Sequence, residues 1–120
     1  MLTFIVLIKF YLKKNKRSPI EEFLDSLNAK QTQKITWVLQ LIEELEKIPK
    51  HYFKKLVHTN GIWEVRVQIG KDAIRLLGFM EEKNFVVLTN GFMKKSQKTP
   101  KVEIELAEKR KKDFIERKQK

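Results

Sequence analysis

The stretch Ile62–Phe92, IWEVRVQIGKDAIRLLGFMEEKNFVVLTNGF, decides the fold. Through Ile62–Ile69 the pattern has a period of two. Trp63, Val65, Val67 and Ile69 fall on one face, and Glu64, Arg66 and Gln68 on the other, as in a strand with one buried side. Gly70-Lys71-Asp72 reads as a turn, Ala73–Met80 as a second strand carrying Arg75, Glu81–Asn84 as another turn, and Phe85–Phe92 as a third strand. Consecutive strands joined by such short turns predict an antiparallel meander.

Toward the N-terminus, Thr3–Leu12 (TFIVLIKFYL) is β-branched, aromatic and apolar on nearly both sides, which predicts a largely covered strand. A basic turn, Lys13–Arg17, leads to Ser18-Pro19-Ile20-Glu21. Serine as N-cap, proline at the first helical position and glutamate three residues after the serine open a helix. Ile20, Phe23, Leu24 and Leu27 line its apolar face, and Asn28-Ala29 breaks it. A second helix is expected from about Lys30 to Ile48, with Ile35, Val38, Leu39, Ile42 and Leu45 as its buried stripe and Pro49 as its stop. After the meander, Thr99-Pro100 reads as the N-cap and first residue of a terminal helix over Lys101–Lys118, with Glu103 completing a box. The expected order is β-α-α-β-β-β-α. It makes a single α+β domain over residues 1–120, a small, mostly antiparallel sheet with a helical hairpin on one face and a C-terminal helix.

Composition narrows the partners. The chain has 120 residues, no cysteine and a formal net charge of +11. Nucleic acid is the first partner such a charge suggests, ahead of an anionic membrane surface or an acidic protein. The lack of cysteine excludes disulfides and thiolate metal sites, and points to the cytoplasm. Two isolated histidines make no structural zinc site, so neither a metal nor a small-molecule cofactor is expected. The apolar start is shorter than the ~20 residues a membrane helix needs. Lys9 interrupts it and no cleavage site follows, which predicts neither insertion nor export.

With the hairpin on the Trp63–Val65–Val67 face, Glu64, Arg66 and Gln68 point to the opposite side, into whatever concavity the twisted sheet and terminal helix leave open. The loop after the last strand holds Lys94, Lys95, Gln97 and Lys98. It borders the same concavity, and a solvated loop and a phosphate site are the two readings of it.

Three segments, KKLVHTNGIWEVRV (54–67), AIRLLGF (73–79) and VVLTNGFMKKSQKTPKVEIELAEKR (86–110), resemble the phage-derived, HigB-like branch of the RelE superfamily of toxins. GIWEVRV and GFMKKSQKTPKVEIELA are the most specific parts. The resemblance implies a RelE-like fold and the toxin of a type II toxin–antitoxin pair. Its activity would be that of a ribosome-dependent, metal-independent endoribonuclease (an mRNA interferase), with mRNA and ribosome as partners and a cognate helix-turn-helix antitoxin as its inhibitor. Carried over position by position, the functional residues are Arg66, Lys55, Lys94 or Lys95, and Arg75. Where some relatives have aromatic, acidic or histidine residues near the end of the last strand, this chain has Asn90, Phe92 and lysines, so the general base stays open.

Metal-free RNA cleavage requires a base for the 2′-hydroxyl, a cation for the phosphorane and an acid for the leaving 5′-oxygen. Arginine suits the second task. Lysine serves the others where neighbouring cations lower its pKa, as in the pairs Lys54–Lys55 and Lys94–Lys95. Phe92 could stack a base, Gln97 and Lys98 could hold phosphate, and Arg110, in the basic run Glu108–Lys112, could touch ribosomal RNA. Each has a plainer reading: Arg66 paired with Glu64, Arg75 packed across the sheet, Phe92 in the core, the lysines solvated. His51 and His58 read as surface residues, Trp37 and Trp63 as packing. Two other classes of function also fit the charge: a non-catalytic RNA-binding module of the same fold, and an antitoxin-bound co-repressor.

Overall fold

A computed structural model describes residues 5–82 and 84–119. Its elements are β1 (Leu7–Phe10), α1 (Pro19–Asp25), α2 (Ala29–Glu44), β2 (Phe53–Lys55), β3 (Ile62–Ile69), β4 (Asp72–Glu81), β5 (Phe85–Lys94) and α3 (Lys101–Lys118). They build one α+β sheet of order β1-β5-β4-β3-β2, with β1 parallel to β5 and every other pair antiparallel. The expected meander is β3-β4-β5. The short strand β2 was not expected from the sequence. Its pairing of Lys54 with Glu64 extends the sheet by one edge.

Local chemistry explains most boundaries. Ser18 Oγ accepts from the Glu21 amide at 3.1 Å, with Pro19 in the first turn of α1. Asn28 does more than break that helix. It caps α2 through a reciprocal box, its Oδ1 accepting from the Gln31 amide at 2.8 Å while Gln31 Oε1 accepts from the Asn28 amide at 3.0 Å. Helix α2 ends at Glu44 rather than at Pro49, so Leu45 is exposed instead of belonging to the buried stripe. Thr99 does not cap α3. Pro100 occupies the cap position without a side-chain bond. Thr99 turns to Glu64, and Glu103 accepts from Asn90 Nδ2 at 3.0 Å.

Helices α1 and α2 cover one face of the sheet. Ile20, Ile35, Val38 and Ile42 pack there on Val65, Val67, Ile74, Leu76, Val86 and Leu88. Helix α3 covers part of the other face, where Ala107 and Ile104 meet Ile62, Leu77 and Phe92, and Phe114 meets Tyr11, Phe79 and Val87. β1 is shorter than expected and lies at the sheet edge. Ile5 and Leu7 are therefore exposed while Val6, Ile8 and Phe10 face the core. The part of that expectation on Thr3 and Phe4 lies outside the described residues.

A bulge between β4 and β5 controls what the α3 face displays. Leu77 pairs with Asn90 but Gly78 pairs with Leu88, leaving Thr89 extra. Gly78 permits the close approach, because a Cβ there would lie 2.3 Å from the Val87 carbonyl oxygen. One extra residue reverses the facing of everything beyond it. Val86 and Leu88 face the hairpin, whereas Phe92 and Lys94 lie opposite Arg75 and Ala73, toward α3.

Candidate functional site

Where α3 leaves the sheet uncovered, a cleft of about 450 Å³ opens between β2, β3 and the 94–99 loop. Lys54, Arg66, Lys94, Gln97 and Lys98 line it, with Glu64 at its floor. The register accounts for the convergence. Lys54 lies opposite Glu64, Arg66 opposite Arg75, and Lys94 opposite Ala73, so these positions share one face across four adjacent strands.

Glu64 organises the floor. It is 2% exposed, far more buried than a polar residue on a solvent face should be. Its Oε1 lies 3.6 Å from Arg66 Nε and 3.7 Å from Arg75 Nε, and its Oε2 accepts from the Thr99 hydroxyl. A buried carboxylate needs such partners, and by holding two guanidinium groups it fixes where their charge sits. Arg66 keeps its outer side in the cleft; Arg75 is buried, and desolvation pushes its guanidinium pKa down.

Lys94 has a lowered pKa. Burial is the main cause; the charges of Arg75, Arg66 and Lys54 add to it, and Glu64 opposes it. The expected neighbour effect is thus present, but it comes from across the sheet and not from Lys95. Lys95 is exposed just past β5 and takes no part in lining the cleft. Lys55 stands at the rim. Its pairing with Trp63 turns it toward the hairpin face, although it borders the cleft mouth.

Two expected RNA contacts are placed elsewhere. Phe92 is 9% exposed in the cluster beneath α3, so no base can stack on it while α3 is docked. Arg110 turns inward, its Nη1 donating to the Thr89 carbonyl at 2.8 Å. Its neighbours clamp the loop before β3: Lys111 Nζ donates to the Asn60 carbonyl and Glu108 accepts from the Asn60 amide, both at 2.9 Å. The run Glu108–Lys112 is in good part a structural clasp.

Sequence reading missed two things. Glu64 appeared only as a possible partner of Arg66. His58 is exposed, as read from sequence, and borders the cleft mouth at positive φ, 59°. Trp37, taken for packing, is 46% exposed. A larger groove of about 590 Å³ lies on the far side of β2, lined mainly by apolar residues including Phe53, Trp63 and Met80, and is chemically unlike the cleft. Among the described residues no three His, Cys, Asp or Glu side chains form a group that could hold a metal ion, and no helix is long and apolar enough to cross a membrane.

Fold and cleft together define a small RelE-like α+β domain with a cationic cleft on the helix-poor part of its sheet. The chain belongs to the phage-derived protein Gp49-like family (DUF891), whose model matches residues 22–112. That family falls within the RelE/toxin-like superfamily and is associated with the toxins of toxin–antitoxin systems, which suggests an antitoxin partner. No curated protein matches the chain.

Proposed function

We propose that this protein is the HigB-like toxin of a type II toxin–antitoxin pair, a cytoplasmic endoribonuclease that cuts mRNA on the ribosome without a metal ion and is silenced by a helix-turn-helix antitoxin. The observation that carries this reading is the meeting of Arg66, Lys94 and Lys54 in one cleft over a buried Glu64. A surface that merely attracts RNA needs no amine with a depressed pKa beside a fixed guanidinium.

The chemistry follows from these positions. The neutral fraction of Lys94, enlarged by its lowered pKa, takes the proton of the 2′-hydroxyl. The 2′-oxygen attacks the adjacent phosphorus and the bond to the 5′-oxygen breaks. Arg66, held by Glu64, stabilises the charge that develops on the phosphorane. The ammonium of Lys54, in the same cleft, gives its proton to the leaving 5′-oxygen. The products are a 2′,3′-cyclic phosphate and a 5′-hydroxyl. Gln97 and Lys98 hold the strand by its flanking phosphates.

The test is induction of the protein alone, with growth and mRNA ends followed together. Expected are growth arrest, new 5′-hydroxyl ends within translated messages, and recovery when a helix-turn-helix protein encoded beside it is co-expressed. Normal growth and intact messages at high soluble expression sink the toxin reading and favour the non-catalytic RNA-binding module.

A further inference from the structure

Arg66 borders a second cavity. On the side of it away from the cleft, a space of about 320 Å³ is lined by Lys34, His51, Tyr52, Arg66 and Arg75, among others. It lies where β2 stops and the edge of β3 becomes free, since the last contact of β2's lead-in is the Arg66 amide donating to the Tyr52 carbonyl at 2.8 Å. Two residues read from sequence as surface or packing, His51 and Trp37, meet Tyr52 here: His51 and Tyr52 line the cavity, and Trp37 packs beside Tyr52. Tyr52 meets Trp37 edge-on with ring centres 5.9 Å apart and His51 at 4.0 Å. Lys34 Nζ sits 4.9 Å from the centre of the Trp37 ring.

We propose that this cavity and its aromatic ledge form a second nucleotide subsite, which takes the base and phosphate next to the scissile phosphate of a single-stranded RNA. The proposal rests on the reading of the main cleft as an RNA site.

Three observations carry it. Arg66 lines both cavities, so a strand crossing it reaches from one to the other. The side chain of Arg75 is 7% exposed, yet its Nε has no hydrogen-bond partner. Its Nη1 donates to the Ile74 carbonyl at 3.0 Å, and the one carboxylate near it, Glu64, is shared with Arg66. The unpaired Nε faces Glu64 at 3.7 Å, and two guanidinium groups over one carboxylate leave a net positive charge, which the 32% exposed Arg66 presents to a phosphate. The third is the ledge. Exposed aromatic faces beside cations are how proteins hold single-stranded RNA, the rings taking bases and the cations the backbone.

The test uses 2′-O-methyl oligoadenylates of two to six nucleotides, which lack the nucleophile and cannot be cut. Their binding to the intact protein is followed at low salt by fluorescence anisotropy. Affinity should rise by about tenfold in one step when the strand becomes long enough to reach the ledge, the scale of one base stacked on an aromatic ring. Trp37→Ala and Lys34→Ala, each checked for an unchanged melting curve, should remove the step and leave the affinity of shorter strands alone. An abasic nucleotide at the added position should remove it too. A smooth gain with each phosphate that is equal in parent and variants overturns the proposal, as does failure of every length to bind. The toxin reading fails separately. If ribosomal cleavage is absent while the step holds, the toxin reading falls and the subsite stands; if cleavage is present without the step, only the subsite falls.

Discussion

On the hairpin side of the sheet the inward residues from Val65 through Ile74, Leu76, Val86 and Leu88 are aliphatic and dry. On the α3 side of the same strands, Glu64, Arg75, Thr89 and Asn90 are polar yet also buried. The first face is held by area removed from water, at roughly 25 cal/mol per Å², and tolerates any arrangement that fills the space. The second is held by named partners: Thr99 and two arginines for Glu64, Leu77 and Asn90 for Thr89, Glu103 for Asn90. Such networks impose geometry, because a group left unpaired costs more than a formed bond returns. One face therefore supplies stability, and the other spends part of it to hold charges where solvent would scatter them.

Substitutions on each face should separate these roles. Ile35→Ala, in the middle of the dry face, should cost about 2–5 kcal/mol of stability, read as a lower denaturation midpoint, with the cleavage rate of the folded fraction unchanged. Arg66→Ala should do the reverse. Its single-turnover cleavage on programmed ribosomes should fall roughly 10²–10³-fold, while its melting temperature stays close to the parent's; a parental rate would move the reacting centre away from Arg66. Arg110→Ala sharpens the contrast on the α3 side itself. It removes a charged hydrogen bond to Thr89 worth about 1.5–3 kcal/mol, so stability should drop while the salt dependence of ribosome affinity stays at the parent's; a shallower dependence would show that Arg110 meets a phosphate.

Glu64→Gln tests the link between the buried network and the chemistry. Glu64 is the group that raises the Lys94 pKa against the surrounding cations. Removing its charge disfavours the ammonium further, so the acidic limb of the cleavage pH profile should move to lower pH. A shift to higher pH, or none, would show that another group is the base. Lys95→Ala is expected to have the smallest effect, within about ±0.5 kcal/mol in stability and with little change in cleavage, because Lys95 lies outside the cleft. A loss as large as that of Lys94→Ala would contradict the facing that the β-bulge sets.

Legibility in the sequence followed the strength of local patterning. The period of two in Ile62–Ile69 placed β3 and put Arg66 on the correct face, because alternation is a property of the strand itself. Ser18-Pro19 announced α1 because capping involves only neighbouring residues. β2 was not legible, since three residues carry no period and Phe53–Lys55 become a strand only through pairing with β3. Leu45 was misplaced because α2 unwinds before Pro49. Phe92 and Arg110 were each read two ways, as RNA contacts or as a core residue and a solvated helix face, and the packing of α3 buries the first and turns the second inward.

The sequence by itself determined the α+β class, the meander, the face of Arg66 and the excess of positive charge, all of which rest on local periodicity or simple counting. Only the tertiary structure decided which lysine enters the cleft. Unbroken alternation from Val87 would have carried Lys95 to the α3 face and left Lys94 under the hairpin. The bulge at Gly78 and Thr89 adds one residue to β5 and reverses that facing. A bulge is a relation between two strands, so neither strand's pattern reveals it. The burial of Glu64 was equally hidden, because beside Arg66 of its own strand it requires Arg75 from β4 and Thr99 from the loop before α3 to arrive around it.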